Sequence, residues 1–396
     1  MKDFRIFSIL GITITLLRIS GLWRDDRKYF SKKIYTLYSL WVLIFFLVLD
    51  YAAVALAIFY CQGDLEKLSK QICYCTQRSI TMVQTIFFLR KRDVLKTIMQ
   101  QLDSEIIQPK TAEYKMIIVN SLKSHFFITR SYFWFCICTL IGFLALPVLF
   151  AEKRFPFDVW PPLQFLGSPW FEIVYVHQCI ATFLNHFIHS SVDILCSGLM
   201  AIIGSQCDFL KAKLENFQPL QRDGATGENM EGDDYDSYFR DIFAHHKEIL
   251  LLSKRVNIFF SQLVFGEISL VIMLLCTSLF RLSIVVANHQ TSELLLMASF
   301  IFAMTTQLFL YCWFGSEAHS KSIQLHSGSF HCNWVGSAIP FQKNLIFFMQ
   351  KTATPIKIYA LHFFELSTVT FTSIMRSSWS FYVLLQQLNA EEGHSP

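Results

Sequence analysis

Two histidines one helical turn apart, His186 and His189, are the first residues whose types and spacing suggest chemistry. Imidazoles at i and i+3 can begin a zinc site. The sequence offers only Asp193 near by as a further ligand. The pair is therefore read as polar packing or as the lining of a cavity, and no metal is assigned. The chain has eleven cysteines. Cys73 with Cys75, and Cys136 with Cys138, look like redox or metal pairs, but i and i+2 point to different faces of a helix. Ordinary apolar packing is the simpler reading. Cys61 and Cys332 fall in loops on opposite sides of a membrane and cannot bridge. His245, His246 and Glu248 sit in a polar stretch and are expected to be solvated. There is no G-x-S-x-G, no phosphate loop and no H-E-x-x-H, motifs that would signal hydrolytic, nucleotide or zinc chemistry. No catalytic residue and no cofactor is assigned, and nothing supports an enzyme. Arg78, Glu267 and Glu293 lie in or beside apolar runs. Ionisable groups inside a membrane are functional candidates by default, although a structural role is the plainer reading for these three.

The elements that position such groups follow from composition. Of 396 residues, 53% are apolar and 16% charged, against roughly 25% charged in soluble domains. Forty Phe against 15 Gly and 10 Pro exclude a disordered or collagen-like chain. A net charge of +4 is too small to argue for nucleic acid. A bilayer core of about 30 Å needs about 20 apolar helical residues, and seven runs meet that length. They are 37–60, 71–89, 131–150, 173–192, 256–280, 294–315 and 358–388, of which the seventh is the most polar and the second and seventh are the weaker spans. The short apolar stretch 6–17 reads as an interfacial or buried helix, not a signal peptide. The expected fold is an all-α membrane protein of seven transmembrane helices.

Lys and Arg set its orientation. Eight precede the first span, and the connections between spans two and three, four and five, and six and seven hold most of the rest. The opposite side holds five: Lys67, Lys70, Lys153, Arg154 and Arg281. The positive-inside rule then places the N-terminus in the cytoplasm and the C-terminus outside, the reverse of a G-protein-coupled receptor. The chain divides into a cytoplasmic segment 1–36 and spans one to four over 37–204. These spans include a Pro- and aromatic-rich outer loop, 151–172, stiff enough to fold back as a lid. A cytoplasmic loop, 205–255, contains an acidic stretch at 218–236 that is expected to be disordered. Spans five and six cover 256–315, a cytoplasmic anchor segment 316–357, the last span 358–388, and an outer tail 389–396. The anchor segment holds a short apolar helix at 345–349.

The last span carries two different faces. Ser373, Arg376, Ser380, Val383 and Gln387 form one, and Phe371, Ile374, Phe381, Leu385 and Leu388 the other. A helix lining water needs such a polar strip, and Val383 within it could form a hydrophobic constriction. One helix cannot enclose a pore, so an oligomer is implied. A helix buried in the bundle with internal polar contacts fits the pattern equally well.

The C-terminal third carries CWFGSEAHSKSI at 312–323, NWVG from Asn333, FMQKTATPIKI from Phe348 and HFFELSTVTFTSIMRSSWSFYVLLQQL from His362. These motifs resemble those of the insect odorant-receptor family. Within the last run, Phe363, Phe364, Ser367, Phe371, Ser373, Ile374, Ser378, Ser380, Phe381 and Val383 carry the resemblance. Chain length, reversed topology and Phe155, Pro156 and Phe157 in the outer loop extend it. The resemblance implies the odorant-binding subunit of a heteromeric, ligand-gated, non-selective cation channel. Such a subunit assembles as a heterotetramer with the coreceptor Orco in the plasma membrane of sensory dendrites. The coreceptor has a long insertion in the second inner loop, where this chain has only a short acidic stretch, so this chain looks like a tuning subunit. The seventh helices would line the pore, with Val383, Gln387, Ser380 and Arg376 as pore and gate residues. A small volatile odorant would bind within the outer half of the bundle. Helix geometry there nominates Tyr74, Gln77, Thr139, Phe143, Tyr175, Gln178, Met297 and Phe300 as its contacts. The rival readings are a seven-span G-protein-coupled receptor, which requires an outside N-terminus, and a secondary transporter, which usually shows internal repeats.

Overall fold

The computed structural model describes residues 6–24, 32–61, 65–149, 155–158, 167–216, 232–287, 291–332, 334–335, 337, 339–361 and 363–392. The acidic stretch over 218–231 and most of the outer loop therefore lie outside the described residues. The last five residues of the acidic stretch, 232–236, are helical rather than disordered.

A short 3-10 turn, Ile6–Leu10, leads into α1 (Gly11–Ile19). Ile6, Leu10 and Leu17 are fully buried there, packed in the main core with α7 (Trp170–Glu215). The first span runs through α2 (Lys32–Val42), a π-helical stretch Leu43–Val48 and α3 (Leu49–Ala57). After it come α4 (Leu65–Arg90), the amphipathic α5 (Arg92–Leu102) and α6 (Ala112–Leu149). Beyond α7 lie α8 (Gly232–Ala287), α9 (Thr291–His331), α10 (Ile339–Thr352) and α11 (Thr368–Glu392).

Five described segments are long and apolar enough to cross a bilayer: Lys33–Ala57, Ala112–Ala145, Trp170–Glu215, Ser237–Val286 and Glu293–His331. The helices α4 and α11 complete the seven, with 26 and 25 residues. Their polarity has two different physical causes. On α4 the polar groups Gln71, Arg78 and Gln84 are buried and bonded inside the bundle. On α11 Ser373, Arg376, Ser380 and Gln387 face outward.

The helices outrun the membrane. With 38, 46, 56 and 41 residues, α6 to α9 are about 57 to 84 Å long at 1.5 Å per residue. Their inner ends pack on one another. The stretch around His245 is a core, not a solvated surface. His245 and His246 are buried and Glu248 half-buried. His245 stacks edge-on against Phe209, pairs with Gln206 at 2.8 Å and lies 3.3 Å from the Lys213 ammonium. Burial, helped by Lys213 and His246, pushes its pKa down to about 3. A depressed imidazole stays neutral in the fold while the unfolded chain takes up a proton, so this contact loses stability as pH falls below the ordinary histidine value.

The run from 358 is not helical from its start. Tyr359–Ala360 pairs antiparallel with Phe364–Glu365, and α11 begins only at Thr368. This hairpin is tied to the long helices by side chains that bond its backbone. Asn257 accepts from Tyr359 N at 3.0 Å, Ser261 from Leu361 N at 2.8 Å, Ser322 from Ile356 N at 3.0 Å and Ser316 from Thr368 N at 2.9 Å. Gly315 of α9 lies against Leu366. A Cβ there would collide with the Leu366 carbonyl oxygen and sit 2.8 Å from its Cβ. We expect Gly315→Ala to cost about 1–3 kcal/mol by overpacking and to lower the thermal midpoint of the detergent-solubilised chain. An unchanged midpoint would show that the hairpin is free to move away.

Candidate ligand cavity and pore strip

A cavity of about 210 Å³ lies between the outer halves of α4, α6, α7 and α9. Arg281 of α8 and the loop residues Phe155, Pro156 and Phe157 complete its wall. Six of the eight residues nominated from sequence line it: Tyr74, Gln77, Thr139, Phe143, Met297 and Phe300. The Tyr74 ring meets Phe143 at 5.8 Å and Phe157 at 4.7 Å, both edge to face.

Tyr175 and Gln178 lie outside the lining. The Tyr175 hydroxyl donates to the Leu144 carbonyl. The Gln178 amide donates to Phe157 O at 3.2 Å and accepts from Phe157 N at 3.4 Å. This part of α7 meets the loop and the end of α6. The next turns of α7, through Thr182, Asn185, His186 and His189, are the ones that reach the cavity. Gln178 therefore fixes the loop segment that covers the site, a second neighbour of which is the stacked pair Phe155–Phe171 at 4.7 Å.

The charged part of the wall was not assigned to the cavity from sequence. Arg78 is buried and forms a 2.8 Å ion pair with buried Asp50. It also donates to Thr182 at 2.8 Å, and its guanidinium lies 4.8 Å from the Phe157 ring centre. At the outer end Arg281 pairs with Glu293 at 3.2 Å. The available signal was helical spacing, since Arg78 stands one turn below Tyr74 and shares its face. The wall is thus aromatic and aliphatic, with a few polar groups held in fixed directions. That is the chemistry of a small-molecule site, and the volume suits a compact molecule.

Below the cavity the two histidines part. His186 bonds Ser190, whereas His189 turns between Gln84 and Gln307, at 3.2 and 3.1 Å. His189, Asp193 and Glu267 come within 4.8 Å of one another, all buried. Glu267 is on α8 and could not be grouped with them from sequence.

The polar strip of α11 faces away from the rest of the chain. Arg376, Ser380, Val383 and Gln387 are exposed, as is Ser373. The inward face is formed by Phe371, Ile374, Met375 and Ser378, which pack towards α8 and α9. Phe381, expected on the apolar face, is 54% exposed, and Trp379 is 60% exposed. The Leu385 and Leu388 side chains lie outside the described residues. A strip of Ser, Arg and Gln beside exposed aromatics is unfavourable against lipid on every side.

Comparison with known proteins agrees with this architecture. The family model described as 7tm Odorant receptor matches residues 64–379. Odorant receptor Or1 of Anopheles gambiae is 23% identical, over 96% of this chain and 95% of its own length. Odorant receptor 46a, isoform A, of Drosophila melanogaster is 21% identical, over 88% of this chain and 89% of its own. The solved structure of the insect olfactory receptor OR5 from Machilis hrabei in complex with eugenol superposes with a TM-score of 0.78 at 16% identity. It covers 96% of this chain and 98% of that one. The match over most of the length identifies the chain as a member of the insect odorant receptor family, a receptor and not an enzyme.

Proposed function

We propose that this chain is the odorant-binding subunit of a heteromeric, non-selective cation channel, assembled as a heterotetramer with the coreceptor Orco in the plasma membrane of sensory dendrites. The observation that carries this reading is the pairing of two features in one subunit. One is a loop-covered aromatic cavity of about 210 Å³. The other is a terminal helix whose wettable strip has no use within the monomer. The ligand, a small volatile and mostly apolar molecule, fills the cavity between α4, α6, α7 and α9. Any state in which those helices grip it better is favoured. A differential affinity of about 5.5 kcal/mol moves a two-state equilibrium from 1:99 to 99:1. The long α8 and α9 carry both cavity residues and the surface on which α11 packs, so their displacement is transmitted to the pore strip. Val383 supplies an apolar ring within that strip, suited to closing it by dewetting.

Co-expression with Orco is expected to give odorant-evoked currents from a panel of volatiles in excised patches without GTP. Strict dependence on GTP would favour the G-protein-coupled alternative instead. A transporter would give uptake without channel-like unitary events.

A further inference from the structure

Among the described residues three carboxylates are buried: Asp50, Asp193 and Glu267. Asp50 has Arg78. The other two share a single basic group, His189, which lies 3.7 Å from Asp193 and 3.9 Å from Glu267. Two ionised carboxylates against one imidazole would leave an uncompensated charge in the middle of the membrane, which is strongly unfavourable. The hydrogen bonds show how the charge is balanced.

Two amide groups converge on one Glu267 oxygen. Gln84 Nε2 donates to Oε1 at 2.9 Å, and Gln307 Nε2 donates to the same atom. Each amide therefore turns its oxygen towards His189, one at Nδ1 and one at Nε2. A ring with an acceptor at both nitrogens is satisfied only when both carry hydrogen, that is, as the imidazolium. On the other side the Tyr311 hydroxyl stands between Asp193 Oδ1 at 2.6 Å and Glu267 Oε2 at 2.9 Å. One phenol hydrogen cannot serve two carboxylate oxygens, so one of them must itself bring a proton. Asp193 Oδ1 also receives Gln307 Nε2 at 3.3 Å, and its Oδ2 receives the Tyr132 hydroxyl at 3.4 Å. Asp193 is an acceptor at both oxygens, whereas Glu267 Oε2 has only Tyr311. The same donors argue against a metal ion between His189, Asp193 and Glu267, because amide hydrogens already occupy the Glu267 oxygen that would face it.

We propose that this cluster is a proton-locked clamp beneath the ligand cavity. In it Glu267 is a neutral carboxylic acid donating through Oε2 to Tyr311. Asp193 is the one carboxylate, and His189 is its imidazolium partner. The clamp is neutral overall and joins five helices: Tyr132 on α6, Gln84 on α4, His189 and Asp193 on α7, Glu267 on α8, and Gln307 and Tyr311 on α9. His189 and Tyr132 also line the cavity, so the clamp forms its floor. The assignment does not depend on which molecule the cavity takes.

The test exploits an asymmetry between two isosteric substitutions in the full-length chain co-expressed with its coreceptor. Glu267→Gln replaces a neutral acid by a neutral amide that still accepts at Oε1 and donates to Tyr311. Its monodisperse yield and thermal midpoint in detergent should match the parent. Asp193→Asn removes the only counter-charge of His189 and should lower the yield several-fold and the midpoint measurably. The opposite pattern, or two variants equal to the parent, overturns the assignment. If both variants aggregate, infrared spectroscopy of the parent at neutral pH decides. A carbonyl band of a protonated carboxylic acid that shifts in deuterium oxide supports the clamp, and its absence refutes it.

Discussion

Arg78→Met is expected to remove most folded protein, because it strands Asp50. The pair is buried on both sides, with side-chain exposures of 6% and 2%. A buried ion pair contributes little relative to an apolar replacement of both partners, yet removing one partner costs about 3–5 kcal/mol. That is a large share of the roughly 5–15 kcal/mol by which folded chains are stable. The second substitution Asp50→Asn removes the orphaned charge, so the double variant should recover much of the yield of monodisperse protein. The response to ligand should not recover with it. Arg78 also fixes Thr182 and lies over the Phe157 ring on the cavity wall, and neither contact returns. Equal yields for the single and double variants would mean that Asp50 finds another partner. Full recovery of the ligand response would remove Arg78 from the site.

The second large effect is expected at Val383. The residue is 37% exposed within a strip otherwise made of Arg376, Ser380 and Gln387. If it forms the apolar ring of a closed pore, Val383→Ser replaces a surface that repels water with one that binds it. Basal current without ligand should rise several-fold in the complex with the coreceptor. Gln387→Leu, one turn further along, should instead reduce unitary conductance by narrowing the wet path. Recordings in which both variants behave like the parent would show that the strip faces something other than the conduit.

These two positions differ in how visible they were beforehand. Arg78 stands out in sequence as a charge inside an apolar run, but its partner is on a different helix and nothing local names Asp50. The same holds for Glu267, whose role depends on Gln84, Gln307 and Tyr311 from two other helices. Apolar length located the spans well because a bilayer demands it, and the Lys and Arg asymmetry oriented them. The inner extensions were underestimated at His245, since a polar sequence can still be buried when Gln206 and Lys213 satisfy it. The hairpin before α11 was hidden because residues 358–366 are apolar without a period, so hydropathy alone merged them with the span. Its anchors were in plain view within CWFGSEAHSKSI: Gly315 lets Leu366 approach, and Ser316 and Ser322 bond the backbone on either side. Helical spacing named two lining residues on each of α4, α6 and α9. It failed on α7 because the loop, through Phe157, occupies the turn carrying Gln178.

The central claim is that the outward strip of α11 borders water in the assembled receptor. Cysteine substitution at Ser380, with the complex open under an agonist from the volatile panel, tests it most directly. A charged methanethiosulfonate reagent applied from outside should modify the thiol and block the current, faster in the open state than at rest. If Cys substitutions at 376, 380, 383 and 387 all stay unreactive in every state, α11 does not line the pore.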